Sequence, residues 1–411
     1  MLAWCHMAER IVQTLASETF APTLTAARAR IGAVRPGDYA RTRNALDGAV
    51  SFLSPYLTHG FVTLADVLTG VTARHALDVQ HKFVYELGWR AYFRHVWQHR
   101  GEGIFSSLHE GALRDDEYSQ ELPADIRAGR TGVPVVDEAV SALYATGMLH
   151  NHARMWLASY VVHVRKVHWR AGADWLYAHL LDGDLASNHL SWQWVAGTSS
   201  SKPYLFNAEN VARYAPAAWH SPGSIIDQTY EALDRLARLP TAQLSSHDTP
   251  GRPSCEEPRL TGEPPLELGL AAPAAADVAG RDIWLVHPWS LGELPAGLPA
   301  DTKVIGVVVA DFHRTWPWST RRWHFVGARM AELAANRWYG DADAISVALQ
   351  GARSVRSVDE PHIAPWLARW AACEPAPALF PPVDRCCNSF SQWWTRTTRG
   401  LHSAAELLAS Q

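Results

Sequence analysis

Apolar positions in the first 239 residues recur mostly three and four apart. Phe83, Leu87, Tyr92, Phe93 and Val96 form one such stripe, and Met155, Ser159, Val162 and Lys166, flanked by Trp156, Tyr160 and His163, trace another helical segment. Breaks at Gly101-Glu102-Gly103, Arg130-Thr131-Gly132 and Ser221-Pro222-Gly223 punctuate the pattern without changing its period. The pattern predicts an all-helical domain over residues 1–239. Between 240 and 280 it dissolves into Pro, Ala, Gly and Ser, the composition of a linker. Short β-rich runs follow: 283–286, 304–309 and, as a third expected strand, 344–349. A helix capped by Ser319 or Thr320 carries Trp323, Val326, Met330 and Leu333 on one face. Strands alternating with helices predict a small Rossmann-like α/β domain over 281–411, so the fold class is mostly α with a smaller α/β C-terminal domain.

A chain of 411 residues that is 47% hydrophobic buries a sizeable core and is long enough for about two domains. Its 19 tryptophans are more than packing usually retains. The formal charge of −4 excludes a globally basic nucleic-acid coat, so any DNA contact needs a local basic patch. Five cysteines show no metal-ligand spacing, which fits a reducing cytoplasm. The N-terminus lacks a signal pattern and no apolar run reaches the roughly 18 residues of a spanning helix. A cytoplasmic protein without membrane contact is expected.

Several polar residues stand out by spacing. Glu86, Trp89 and Arg90 fall at i, i+3 and i+4 and share one helical face. By themselves they fit either a ligand pocket or a partly buried ion pair beside a packing tryptophan. Asn151 and Met155 are also i and i+4. Asp182 and Asp184 flank Gly183 in what reads first as a solvated turn and second as a metal site, and Ser51-Phe52-Leu53-Ser54-Pro55 alone says little beyond a helix start.

Taken in order, these residues carry more. Thr131-Gly132-Val133-Pro134-Val135-Val136-Asp137, Thr146-Gly147-Met148-Leu149-His150-Asn151-His152-Ala153-Arg154-Met155, Leu181-Asp182-Gly183-Asp184-Leu185-Ala186-Ser187-Asn188, Trp192-Gln193-Trp194 and Tyr204-Leu205-Phe206-Asn207 succeed one another within about eighty positions. The series resembles the flavin-binding helical domain of the DNA photolyase and cryptochrome family, over roughly residues 20–239. The resemblance implies non-covalent FAD. Tyr39, Ser51, Leu53 and Ser54 would wrap its pyrophosphate, with Val50 standing where the family usually has Thr, and Arg90 would hold a phosphate. Asp182 would pair with Arg154 beside the ring, Asp184 would contact the ring's polar edge, and Asn188, whose amide offers both donor and acceptor, would face ring nitrogen N5.

The resemblance also implies a lesion pocket in which Glu86 hydrogen-bonds a pyrimidine dimer and Trp89 and Trp194 line it. Asn151 and Met155 match relatives that repair cyclobutane dimers, where relatives that repair the (6-4) lesion have histidines. Trp192 and Trp169 match two members of an electron relay, and the third tryptophan is missing near 115–118, leaving Tyr118 or another Trp as its substitute. His152, Met148-Leu149 and His189-Leu190-Ser191 depart from the family pattern. So does the domain order, since the family's α/β domain, which can carry an antenna pigment, ordinarily comes first; the segment after residue 280 is read as a rearranged version of it or as a domain of its own. No set of cysteines matches the iron–sulfur cluster of one bacterial branch. The implied function is light-driven repair of cyclobutane pyrimidine dimers in DNA, a carbon–carbon lyase reaction, by a monomer whose antenna pigment is left open. The alternatives are a cryptochrome-like blue-light photoreceptor and a flavoprotein that binds nucleic acid without repair.

Overall fold

A computed structural model describes residues 20–240 and 254–409. The expectations for residues 1–19 and 241–253 lie outside them. Within 20–240 the regular structure is helical throughout, from Leu24–Ala33 to Tyr230–Ala237. Three of the helices that matter begin on a histidine whose ring nitrogen accepts a backbone N–H two residues on: His81 before Lys82–Arg100, His150 before Asn151–Ser159 and His168 before Trp169–His179. Each thereby satisfies one of the orphan donors of a helix start. The Leu185–Ala196 helix starts instead on Asp184, whose side chain accepts from Ser187 N at 2.8 Å, and stops at Gly197, left-handed at φ 80°.

The second half holds a five-stranded parallel sheet in the spatial order Asn336–Gly340, Lys303–Val309, Asp282–Val286, Ser354–Val358, Ala372–Glu374. The first strand in sequence lies in the middle, so connections run off in opposite directions on either side of it. The carboxyl ends of Asp282–Val286 and Ser354–Val358 therefore form the topological switch point of a doubly wound sheet. The loops leaving that point, 287–291 and 359–363, are directed at the helical half. His59 makes ring contacts of 2.6 Å to Pro288 O and 3.0 Å to Leu181 O, and a Cβ on Gly60 would lie 2.3 Å from Trp289 O.

Three expectations are corrected. Residues 344–349 are not a strand but part of the Ala342–Leu349 helix, because Ile345, Ala348 and Leu349 are buried at helical spacing while Val347 is exposed; the strand that follows Lys303–Val309 in the parallel sheet is Asn336–Gly340. Residues 254–280, expected as linker, pack closely. Glu257 meets Arg127, Trp175 and His179, Leu260–Thr261 pairs antiparallel with Trp318–Ser319, and Asp277 accepts from Asn336 and Trp338. Nor does the chain stay in the α/β domain to its end. The Phe390–Thr397 helix lies against Lys82–Arg100 and Ala404–Ala409 against Leu64–Thr72, with Gly88 leaving room for the Trp394 ring.

Candidate functional site

The Lys82–Arg100, Asn151–Ser159 and Leu185–Ala196 helices converge on the turn at 182–184. Arg154 donates from Nη2 to both Asp182 oxygens at 2.9 and 2.8 Å and from Nε to Leu149 O at 2.7 Å. Asp182 is buried. Asp184 is more so, at 1% exposure, and its second oxygen accepts from Arg94 Nη2 at 2.7 Å. Burial opposes ionisation of Asp184, but Arg94, Arg90 and His362 outweigh it and hold the carboxyl far below the usual range. Arg94 reaches with its other terminal nitrogen to Glu360 Oε1 at 2.7 Å, and Glu360 in turn pairs with His362. Arg94, Glu360 and His362 were not singled out from sequence. Arg94 shares a helical face with Glu86 and Arg90 at i+8 and i+4, which was the available signal; the other two carry none.

Arg90 donates to Thr58 Oγ1 at 2.5 Å, and Thr58 donates to Asp182 O at 3.1 Å, tying this side chain to the same turn. No carboxylate among the described residues pairs with Arg90, and it lines a cleft of about 1290 Å³ between the two halves that Arg28, Arg74, Arg94 and Trp289 also line. Asn188 spends its NH₂ on Ala173 O at 2.8 Å, and no donor among the described residues reaches its Oδ1. A guanidinium without a carboxylate partner and an amide oxygen without a donor suit a phosphate and a ring N–H, so these residues fit FAD. Asp182, Asp184, Asn188 and Arg154 do not line that cleft, which meets the cluster at Thr58, Arg90, Arg94 and Glu360.

The expected pyrophosphate wrap is partly different. Leu53 is 1% exposed and belongs to the core, Tyr39 packs edge-on against Phe83 at 5.4 Å, and Ser51 and Ser54 are half-buried at the start of the short Ser54–Thr58 helix. Between the two serines Phe52 has φ 50°, a left-handed conformation costly for a residue with a Cβ. Its ring is held by Phe20 and by Arg30, whose guanidinium lies over both rings.

Toward the N-terminal end of the Lys82–Arg100 helix, Glu86 pairs with Arg43 at 3.3 Å, not with Arg90. Burial raises the Glu86 pKa against the pull of Arg43. Trp89 does not present a bare ring: Phe390 stacks on it at 4.1 Å and 13°. An ion pair beside a packing tryptophan thus describes much of what Glu86 and Trp89 do. Asn151 is exposed, with Nδ2 3.6 Å from Met155 Sδ, and Trp194 is 39% exposed beside Tyr204. Trp192 and Trp169 are both 2% exposed, and Trp192 rests on Gly172, where a Cβ would approach its ring to 2.4 Å. From Trp169 rings continue through His168 to Tyr118 at 5.5 and 6.2 Å, and through His189 to Trp316 at 6.4 and 5.4 Å.

Residues 83–227 match the family described as the FAD binding domain of DNA photolyase. Deoxyribodipyrimidine photo-lyase of Streptomyces griseus is 37% identical over 164 residues, 40% of this chain and 36% of that protein. The Escherichia coli enzyme of the same name is 31% identical over 218 residues, 47% and 46% of the two chains, and cryptochrome DASH of Gloeobacter violaceus is 33% identical over 219, or 50% and 42%. The chain thus spans less than half the length of these relatives. A solved cryptochrome of Synechocystis sp. PCC6803 aligns over 46% of this chain and 43% of its own, with 30% identity and a TM-score of 0.41. Within the helical half, residues 83–227 are thus similar to the FAD-binding domain of DNA photolyase.

Proposed function

With an FAD-binding domain of the photolyase kind as premise, we propose that this protein splits cyclobutane pyrimidine dimers in DNA by light-driven electron transfer. The carrying observation is the Arg154–Asp182 pair together with Asn188, whose Oδ1 no donor among the described residues reaches, while Asn151 and Trp194 are exposed. Reduced FAD, when bound, supplies one electron on excitation and takes it back, so that two carbon–carbon bonds of the dimer open with no net oxidation. The rest falls to side chains of this chain. Arg154 fixes Asp182 in place, Asn188 offers its oxygen to a ring N–H, and Arg90 neutralises a phosphate. Glu86, with its raised pKa, either donates a hydrogen bond to a pyrimidine carbonyl or accepts one from a ring N–H. Extruding a damaged base step costs a few kcal/mol; stacking on the exposed Trp194 returns about 1–3 kcal/mol.

The photoreceptor reading has one observation in its favour: Phe390 occupies a face of Trp89 that a dimer would need. Blue light on chemically reduced protein with dimer-containing oligothymidylate separates the two. Repair is expected, and Glu86→Ala is expected to lower it while leaving FAD content intact. Absence of light-dependent dimer loss from fully reduced wild-type protein refutes repair and leaves the photoreceptor.

A further inference from the structure

Arg322 lies in the Thr320–Leu333 helix of the α/β half, yet its guanidinium ends in the helical half. It is 0% exposed. Nη2 donates to Gly183 O at 2.5 Å, Nη1 donates to Tyr177 O at 3.3 Å, and Nε has no partner. No carboxylate pairs with it among the described residues. Its charge lies instead over the faces of Trp318 at 4.0 Å and Tyr177 at 4.8 Å. Gly183 is the residue between Asp182 and Asp184, and a Cβ there would approach Arg322 Nη1 to 2.6 Å, so the turn and the guanidinium fit only with glycine at this position.

A buried arginine without a counter-ion is a poor way to stabilise a fold; an apolar side chain of the same size usually serves as well. The charge is better explained by what lies across the turn. Four arginines, Arg90, Arg94, Arg154 and Arg322, surround this turn against three carboxylates, Asp182, Asp184 and Glu360, and His362 is kept toward its neutral form by burial. The surplus is one positive charge. Three of these eight groups, Arg322, Glu360 and His362, come from the α/β half, through its switch-point loop and its Thr320–Leu333 helix.

We propose that Arg322 is a positioning residue of the flavin site. From behind the turn it holds the Gly183 carbonyl, so that Asp182, Asp184 and Asn188 keep their places, and it lends the site a net positive charge that favours the more negative, reduced cofactor. Glu360 does the same for Asp184 through Arg94. The α/β half is thereby part of the flavin site, not an appendage to it. This rests on the reading of Asp182, Asp184 and Asn188 as flavin-facing.

The test uses the full chain. FAD affinity is measured by titrating apoprotein, the midpoint potential of the bound flavin by spectroelectrochemistry, and the fold of each apoprotein by circular dichroism. Arg322→Gln is expected to fold, to bind FAD at least tenfold more weakly, and to lose about tenfold of its preference for reduced over oxidised flavin, a shift of about 30 mV for a two-electron couple. Arg322→Lys, which keeps the charge but not the fork, is expected to restore the potential and part of the affinity. FAD affinity within twofold of wild type with an unchanged potential in Arg322→Gln overturns the proposal, as does Arg322→Lys behaving no better than Arg322→Gln. If Arg322→Gln fails to fold, Glu360→Gln decides: a severalfold loss of affinity supports the proposal, and none overturns it. Wild-type apoprotein that takes up no FAD, or Asp182→Asn that binds FAD like wild type, overturns the flavin reading and this inference together, whereas wild-type behaviour of Arg322→Gln beside loss of FAD from Asp182→Asn overturns this inference alone.

Discussion

Replacing Arg154 by Ala takes away the single nitrogen that both Asp182 oxygens bind, at 2.9 and 2.8 Å, and no other side-chain donor among the described residues reaches them. The Asp182 side chain is 4% exposed and that of Arg154 24%. Stranding a carboxylate in that position costs about 3–5 kcal/mol, and the partial exposure of the pair places the loss at about 3 kcal/mol. Asp182→Ala strands an arginine that can turn toward water and keeps its bond to Leu149 O, so about 1–2 kcal/mol is expected. The double variant leaves no unpaired charge and is expected to lose about 1–3 kcal/mol less than the sum of the singles. Urea unfolding of the four apoproteins at pH 7 and low salt measures this directly, against the total of about 5–15 kcal/mol that folded proteins possess. Singles that add to within about 0.5 kcal/mol of the double refute the claim that the pair acts as a unit.

Other consequences are open to measurement. Gly88→Ala gains about 1 kcal/mol of helix propensity but sets a methyl 2.4 Å from Trp394 Cζ3, an overpacking that costs about 1–3 kcal/mol; faster amide exchange over 390–397 and a lower Tm are expected, and a higher Tm with unchanged exchange speaks against docking of that helix. Burial holds His150 and His163 near a pKa of about 4, below the 6.5 of an exposed imidazole. Their folded values being depressed, the stability they allow is complete above pH 6.5 and is lost as pH falls from there toward 4, so the urea midpoint should drop between pH 7 and 5 with up to two protons taken up on unfolding; a flat midpoint contradicts their burial as neutral rings. Trp192→Phe should slow flavin photoreduction without changing FAD content, and comparing Tyr118→Phe with Trp316→Phe tells which ring chain leads out of Trp169. Equal rates in all four proteins exclude both chains.

What the sequence determined by itself is what depends on near neighbours. Helical period, the Ser319 cap, and i, i+4 placement of Glu86 with Arg90 or Asn151 with Met155 are set within a few residues, and they appear in the structure where they were read. The Arg154–Asp182 pair followed from the family resemblance and is present. The run 344–349 misled because a short apolar segment satisfies either period until burial selects one. Tertiary structure alone decided the partners of charge. Arg94 meets Glu360 across 266 residues of sequence and Arg322 meets the Gly183 carbonyl across 139, contacts that no local pattern encodes. The same holds for Phe390 on Trp89 and for residues 254–280, whose loose composition hid specific contacts. A buried charge or a covered aromatic face depends on what folds back over it, and here that was the α/β half, whose switch-point loops close on the turn at 182–184.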